Sequence, residues 1–293
     1  MTKEHVSYEQ IVRVKHLSKE NFIRLYLKQE KPVVVENFTQ DWPAYQKWSL
    51  DYFANNYGDV VVPLYNSNPA KGKEPSRKPV KHLPLKSYID ILKKGPTDLR
   101  IFFFNILKKA PNLQEDFKYP DLGVKFFKKL PVLFFGGENG KVLLHYDIDF
   151  ANNFHFNFIG EKKIILFPHE QKRLLYHVPY SIVSIEEIEF DYPDYKKYPA
   201  LKNAEGYEVT LKPGEMLYIP SGYWHYIRYQ TPCVSLTLRS FPKSLNKTLQ
   251  FVKNLAFTMP FDNLMRKLKG QSWIDYKNQK AISNAQKAIE ERK

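Results

Sequence analysis

The sequence contains a single cysteine, Cys233, so an internal disulfide framework is excluded. No apolar run is long enough to cross a bilayer: the most apolar stretch, residues 99–107, has the length of a strand and includes Arg100 and Asn105. The first residues are polar and lack the apolar centre of a signal peptide. We therefore expect a soluble, cytoplasmic protein in which Cys233 is a small buried side chain.

Internal repeats of fixed period and low-complexity segments are also missing, which argues against a solenoid and against a disordered chain. Apolar residues instead recur along the whole length, since 43% of the 293 residues are hydrophobic and 15% are aromatic. Such a chain can bury a sizeable core. We expect one large domain, or a core domain with appendages.

Acidic side chains are scarce relative to basic ones, 31 against 45, which gives a formal net charge of +14. Residues 242–293 hold eleven Lys and Arg against four Asp and Glu, and so carry +7 of this excess (11 − 4). A basic excess attracts nucleic acid, acidic proteins or anionic membranes. The segment has no dense arginine run, however, which favours a solvated helical face over a nucleic-acid-binding tail.

Residues 1–100 alternate helix and strand signals and predict an α/β region that packs on the rest of the protein. Ser18 and Ser49 are placed to cap helices. Residues 33–35, three valines, predict a buried strand. Residues 66–82 are rich in Pro, Lys and Ser and predict an exposed loop.

From Pro131 to Phe241 the sequence changes to short strands separated by Gly and Pro turns, within a core domain that we expect to span residues 101–241. This pattern of about eight strands predicts a mainly β fold, a double-sheet jelly roll. The expected strands lie near residues 132–135, 142–147, 154–159, 163–167, 207–211, 215–219, 226–229 and 234–239.

Residues 242–293 predict a basic helical region of two or three helices, interrupted at Met259-Pro260. Leu245, Leu249 and Val252 fall on one face of the first of these helices. We expect a docking surface there, through which two copies could form a homodimer.

His145 and Asp147 are the first candidates for metal ligands. They stand two residues apart, so on a strand both side chains point to the same face. By itself this pattern is weak evidence, because most histidines are not ligands. About eighty residues later, a turn and a strand (residues 211–219) lead to His225 beside an aromatic residue, and a jelly roll brings such segments together. Two histidines and one carboxylate with open positions are typical of iron(II) oxygenases.

These segments resemble the cupin-like JmjC oxygenases, and most closely the asparaginyl hydroxylase that modifies hypoxia-inducible factor. The resemblance extends from about Lys31 to Arg239, and its most specific stretches are residues 144–147, 159–168, 190–195 and 214–225. It implies a double-stranded β-helix core, iron(II) bound by His145, Asp147 and His225, and 2-oxoglutarate as the co-substrate for hydroxylation of a C–H bond.

The same resemblance implies residues that bind the co-substrate. Lys162 occupies the position of the family's lysine, which pairs with the distal carboxylate of 2-oxoglutarate; a buried carboxylate needs such a cation. Its neighbour Lys163 is the competing candidate, since adjacent strand residues face opposite sides. Asn153 matches the family's asparagine, which helps to hold the co-substrate near the metal.

Three positions depart from the family's pattern. Phe102 stands where the alignment expects a tyrosine hydroxyl, and Val142 stands where it expects a threonine. Arg239 replaces an asparagine on the last strand, where it could act as a bidentate clamp for a carboxylate or lie in solvent at a strand end. These differences bear on 2-oxoglutarate binding more than on iron binding.

Several functions remain open from the sequence. The first is an Fe(II)- and 2-oxoglutarate-dependent hydroxylase of a protein side chain. The same chemistry on a nucleic-acid base has the basic excess in its favour, and a small-molecule oxygenase also fits. The alternative from another class is a non-catalytic cupin-like module that keeps a metal but has lost the co-substrate, which Phe102 and Val142 support.

Overall fold

The computed structural model describes residues 5–74 and 78–292, and in it two sheets face each other. Strands are numbered β1 to β14 and α-helices α1 to α7 in chain order. The larger sheet has seven strands, in the spatial order β2 (Arg13–Val14), β3 (Val33–Val35), β12 (Met216–Ile219), β9 (Asn152–Ile159), β14 (Cys233–Ser240), β7 (Val132–Gly136) and β6 (Arg100–Phe104).

The smaller sheet has five strands, in the order β1 (Ser7–Gln10), β11 (Glu205–Leu211), β10 (Lys162–Phe167), β13 (Trp224–Tyr229) and β8 (Lys141–His145). A separate antiparallel pair consists of β4 (Val61–Leu64) and β5 (Lys81–Pro84). All eight strands predicted for residues 131–241 are present within a few residues of the expected bounds. The predicted mainly β jelly-roll fold is confirmed.

The α-helices lie before and after the jelly roll. They are α1 (Lys19–Asn21), α2 (Pro43–Lys47), α3 (Leu50–Tyr57), α4 (Leu85–Lys94), α5 (Leu245–Lys253), α6 (Met259–Lys269) and α7 (Gln271–Glu290). The Ser18 and Ser49 side chains accept hydrogen bonds from Asn21 N at 3.2 Å and Tyr52 N at 3.0 Å, as expected of helix caps. No helix within the described ranges is long and apolar enough to cross a membrane.

Strand alternation decides what each face of β9 contacts. Phe154 and Phe156 point out of the jelly roll and pack against Phe22 and Trp42 of the N-terminal region. The intervening residues of β9 therefore face the space between the two sheets. Aliphatic side chains from both sheets fill part of this space along its length, Ile164, Leu166, Leu217, Ile219 and Ile227. The polar positions between the sheets are the ones that form the candidate site.

The N-terminal residues take part in the sheets directly. β1 pairs in parallel with β11, and β3 pairs antiparallel with β12. The domain boundaries at residues 100 and 241 stay predictions from the sequence.

The chain does not break at Met259-Pro260. A π-helical segment, Asn254–Thr258, joins α5 to α6, and Pro260 lies in the first turn of α6. The proline is tolerated there because the wider π turn accommodates the missing N–H. The direction of the chain changes instead at Gly270, whose φ of +56° suits glycine.

Candidate metal centre and the adjoining cavity

The three predicted metal ligands meet at one end of the space between the sheets. His145 ends β8 and lies opposite His225 of β13 in the strand register, with ring centroids 4.1 Å apart. Asp147 follows two residues after β8. One ligand atom from each of the three side chains can be chosen so that all lie within 4.8 Å of one another, close enough to bind one ion.

Backbone carbonyls hold both imidazoles in the orientation that a metal needs. Nδ1 of His145 lies 2.9 Å from the carbonyl oxygen of Leu143, and Nδ1 of His225 lies 3.2 Å from that of Tyr223. An Nδ1–H that donates to a carbonyl leaves Nε2 unprotonated, and Nε2 is then the metal ligand.

Two side chains position the Asp147 carboxylate. Asn153 Nδ2 donates to Asp147 Oδ2 at 2.6 Å, and Arg239 Nη2 lies 3.6 Å from the same oxygen. Burial raises the pKa of Asp147, but the positive charge of Arg239, the two adjacent histidine rings and the hydrogen bond from Asn153 outweigh it and hold that pKa well below its usual range. The carboxylate is therefore ionised, as a metal ligand must be.

Arg239 lies at the metal end and contacts the protein's own carboxylates. Its Nη1 donates to Asp149 Oδ2 at 2.9 Å, in addition to the contact with Asp147. The residue is 6% exposed, so it is not a solvated strand-end arginine. Its use as a clamp for a co-substrate carboxylate stays a prediction.

Lys162, and not Lys163, points into the space between the sheets. It is fully buried, and its Nζ donates to Ser235 Oγ at 2.7 Å and lies 5.7 Å from the centre of the Tyr229 ring. Lys163 faces outward and pairs with Glu208 at 3.1 Å. Burial lowers the pKa of Lys162 to about 8. Among the described residues, no carboxylate lies within ion-pair distance of Lys162.

Lys162 and the metal ligands lie at different levels of the same interior. Along β10, Leu166 is opposite His225 and Lys162 is opposite Tyr229. Four residues of strand separate the two levels, a distance of about 13 Å along the backbone.

His155 also faces the interior, between Lys162 and the metal ligands. Its Nδ1 lies 2.5 Å from Thr237 Oγ1, while Nε2 has no hydrogen-bond partner among the described residues. Burial, followed by the positive charge of Lys162, lowers the pKa of His155 well below its usual value, so the ring is neutral. His155 is not in the group of potential ligands.

A cavity of about 460 Å³ opens beside His145, within the usual size range of small-molecule sites. Phe102 and Val142 line it, and neither supplies the hydroxyl group that the resemblance implies. Arg100, on the same strand as Phe102, also lines the cavity and was not among the predicted site residues. Because side chains two residues apart on a strand face the same side, the predicted position of Phe102 at the cavity would also have placed Arg100 there.

A second cavity, of about 400 Å³, lies next to the first and is bounded by α6, α7 and residues 178–187. The loop residues Pro69, Ala70 and Lys71 line both cavities, as do Val183 and Glu186. The loop is held from both sides: Ala70 N donates to Glu186 Oε2 and Gly72 N donates to Gln271 Oε1, each at 3.0 Å. Residues 69–71 of the predicted exposed loop thus form a shared wall of the two cavities.

Comparison with known proteins agrees with this architecture. The profile of a family described as cupin-like domain matches residues 19–241. A lysine-specific demethylase 8 from Danio rerio is 29% identical over 230 residues, which cover 75% of this chain and 55% of the relative. The protein of the same name from Xenopus tropicalis is 30% identical over 218 residues, 72% of this chain and 48% of the relative.

A human bifunctional peptidase and (3S)-lysyl hydroxylase is 25% identical over 253 residues, covering 74% of this chain and 79% of that protein. The chain thus spans about half the length of the two demethylases and more of the lysyl hydroxylase.

Proposed function

Because the chain belongs to the cupin-like JmjC domain family, we propose that it is an Fe(II)- and 2-oxoglutarate-dependent hydroxylase that acts on a protein side chain. The observation that carries this proposal is Lys162. A lysine that is fully buried without a carboxylate partner among the described residues is costly to the fold. An anion from outside would offset that cost, and the far carboxylate of 2-oxoglutarate is such an anion.

The residues at the metal end fit iron(II). Nε2 of His145, Nε2 of His225 and the Asp147 carboxylate are the donors that non-haem iron prefers, and they leave positions open. Iron bound there would supply the activation of dioxygen, with 2-oxoglutarate as the source of electrons. The protein's part is positional: the Leu143 and Tyr223 carbonyls fix the imidazoles, and Asn153 fixes one oxygen of Asp147.

Lys162 and Ser235 would bind the distal carboxylate of 2-oxoglutarate at the other level of the interior. The aliphatic side chains Ile164 and Ile227 lie between this level and the metal end and exclude water from the space. Asn153 would help to hold the co-substrate near the metal, as the resemblance implies.

A protein substrate is favoured by the two adjoining cavities, which together give room for more than a small molecule. A nucleic-acid substrate is disfavoured, because a groove that binds phosphates needs a positive excess. Among the described residues, the charges of the ionisable side chains that line the cavities cancel, five acidic against five basic: Glu74, Glu186, Glu187, Asp262 and Asp275 against Lys71, Lys78, Arg100, Arg266 and Lys277.

Two of the relatives are named lysine-specific demethylases and one a lysyl hydroxylase, so a lysine side chain is the first substrate to test. Hydroxylation of an N-methyl group and of a side-chain carbon use the same chemistry, and both belong in that test. The closer likeness to the asparaginyl hydroxylase of hypoxia-inducible factor stays a prediction, as does a cytoplasmic location.

The experiment is an assay of 2-oxoglutarate decarboxylation by the iron-loaded protein, alone and with arrays of lysine- and methyllysine-containing peptides. Stimulated turnover together with a peptide that gains one oxygen atom, or loses a methyl group as formaldehyde, supports the proposal. If the protein binds metal but neither binds nor decarboxylates 2-oxoglutarate, the non-catalytic cupin-like module is the better description.

The homodimer also stays a proposal. Leu245, Leu249 and Val252 of α5, at helical spacing on one face, are 84%, 65% and 52% exposed and so make an exposed apolar patch. They form the surface through which two copies would associate.

A further inference from the structure

Arg100 is held rigidly at the wall of the cavity beside the metal ligands. Its backbone N donates to the carbonyl of Tyr65 and its carbonyl accepts from Tyr65 N, both at 2.9 Å. The residue is only 9% exposed, and it lines the same cavity as His145 and Phe102. Its side chain therefore reaches the interior and not the solvent.

The Arg100 guanidinium is poorly satisfied by the protein. Among the described residues, Nε and Nη1 have no hydrogen-bond partner. The nearest carboxylate, Asp98, is 3.9 Å from Nη1. Asp98 Oδ2 already accepts hydrogen bonds from Ser67 N at 2.7 Å and Ser67 Oγ at 2.6 Å. A buried guanidinium with unused N–H groups is suited to a carboxylate.

Arg100 is at the same level of the interior as Lys162. It lies opposite Gly136 in the register of β6 and β7. The Tyr229 ring packs on Gly136 so closely that a Cβ there would be 2.4 Å from the ring. Tyr229 is in turn the register partner of Lys162. Arg100 and Lys162 are thus both neighbours of the same Tyr229 ring.

We propose that Arg100 is a second anchor, with Lys162, for the distal carboxylate of 2-oxoglutarate; this rests on the proposed function. Phe102, two residues further along the strand, has no hydroxyl group to offer at this wall. Arg100 replaces that missing donor with the N–H groups of Nε and Nη1 and with a positive charge. Two cations at this level make the site selective for a diacid over a 2-oxo acid that lacks the second carboxylate.

The test compares two ligands of equal length on protein loaded with Mn(II) in place of iron. 2-Oxoglutarate and 2-oxopentanoate both offer the 2-oxo acid group to the metal, but only the first has a distal carboxylate. Dissociation constants are measured by calorimetry for the wild type, Arg100→Gln, Arg100→Lys and the control Arg228→Gln. Arg228 lies on β13, does not line the cavity, and is 3.9 Å from Asp191.

We expect Arg100→Gln to weaken 2-oxoglutarate binding at least 10-fold and 2-oxopentanoate binding less than 2-fold. Arg100→Lys should recover part of the loss, and Arg228→Gln should match the wild type. Equal losses for both ligands would overturn the proposal, because they indicate a general disturbance of the site. Unchanged affinity for both ligands would also overturn it. Arg100 would then be available to bind an acidic group of the substrate instead.

Failure of the proposed function gives a different result. In that case the wild type itself binds Mn(II) but neither oxo acid. The role of Arg100 as an anchor is then contradicted together with the proposed function. In the same preparations, the Mn(II) affinity of Arg100→Gln should equal that of the wild type, and its melting temperature should be no lower, because a poorly paired buried charge is removed.

Discussion

The two ends of the jelly-roll interior balance their charges in different ways. At the metal end, the carboxylates of Asp147 and Asp149 share Arg239, so these three groups together carry an excess negative charge. At the other end, the buried cations are Lys162 and Arg100, and in the described part of the chain the carboxylate paired with them is Asp98, 3.9 Å from Arg100 Nη1. One end is therefore suited to a metal cation and the other to an anion. A diacid that chelates the metal and extends to Lys162 would compensate both.

The largest expected effect comes from removing a metal ligand. His225→Ala should weaken binding of Mn(II) or Fe(II) more than 100-fold, since even changes in the groups that orient a ligand cost about 10- to 100-fold. Calorimetric titration with the metal measures this, and decarboxylation should disappear. An unchanged metal affinity would show that the three residues are not the ligands.

Lys162→Met should weaken binding of 2-oxoglutarate without changing binding of the metal. Loss of a buried charge partner weakens 2-oxoglutarate binding by at least about 2 kcal/mol, roughly 30-fold, while metal affinity stays unchanged. The ligand-free variant should also melt at a higher temperature, by about 2–4 °C for each kcal/mol recovered, because an unpaired buried ammonium is removed.

Lys163→Met is the matched control for that variant, since Lys163 faces outward and pairs with Glu208. It should leave both affinities at wild-type values. If the two variants lose equal affinity for 2-oxoglutarate, the assignment of the inward lysine is contradicted.

The pH dependence of 2-oxoglutarate binding also tests the role of Lys162. Below its pKa of about 8, Lys162 is charged and attracts the dianion; above it the neutral amine does not. A bound carboxylate raises the pKa of Lys162, so 2-oxoglutarate should be bound with proton uptake between pH 8 and 9, and its affinity should fall as the pH rises. Calorimetry in buffers of different ionisation enthalpy measures the uptake. Its persistence in Lys162→Met would assign it to another group.

Asn153→Ala should act at the metal end and more weakly. The lost 2.6 Å hydrogen bond frees one oxygen of Asp147, and metal affinity should fall about 10-fold. Metal and 2-oxoglutarate titrations on one preparation distinguish two roles. A fall in 2-oxoglutarate affinity alone would instead match the role that the resemblance implies for Asn153.

The smallest effect on the site is expected from Leu249→Glu, which places a charge on the exposed apolar face of α5. The variant should be monomeric by light scattering if two copies associate there, with metal and 2-oxoglutarate affinities unchanged. A wild type that is already monomeric would remove the homodimer from consideration.

Features that depend on local patterns were predictable from the sequence. Alternation along β10 separates Lys162 from Lys163, and the His145–Asp147 spacing places both side chains on one face. β1 and β5 could not be recognised, because their sequences, SYEQ and KHLP, lack an alternating apolar pattern. β1 is supported by pairing with β11, almost 200 residues away, as shown by Ser7 opposite Glu205.

The state of Arg100 could not be predicted for a similar reason. It depends on Asp98 being engaged by Ser67, and on Gly136 making room for Tyr229. None of these relations follows from spacing along the chain.

The pairing of β3 with β12 has a practical consequence for truncation. A fragment limited to residues 101–241 would lack β3 and leave β12, with Met216, Leu217 and Ile219, as a bare edge. An apolar strand with unpaired N–H and C=O groups is a template for intermolecular pairing. Such a fragment should aggregate on expression, whereas one that begins before β1 keeps the edge covered.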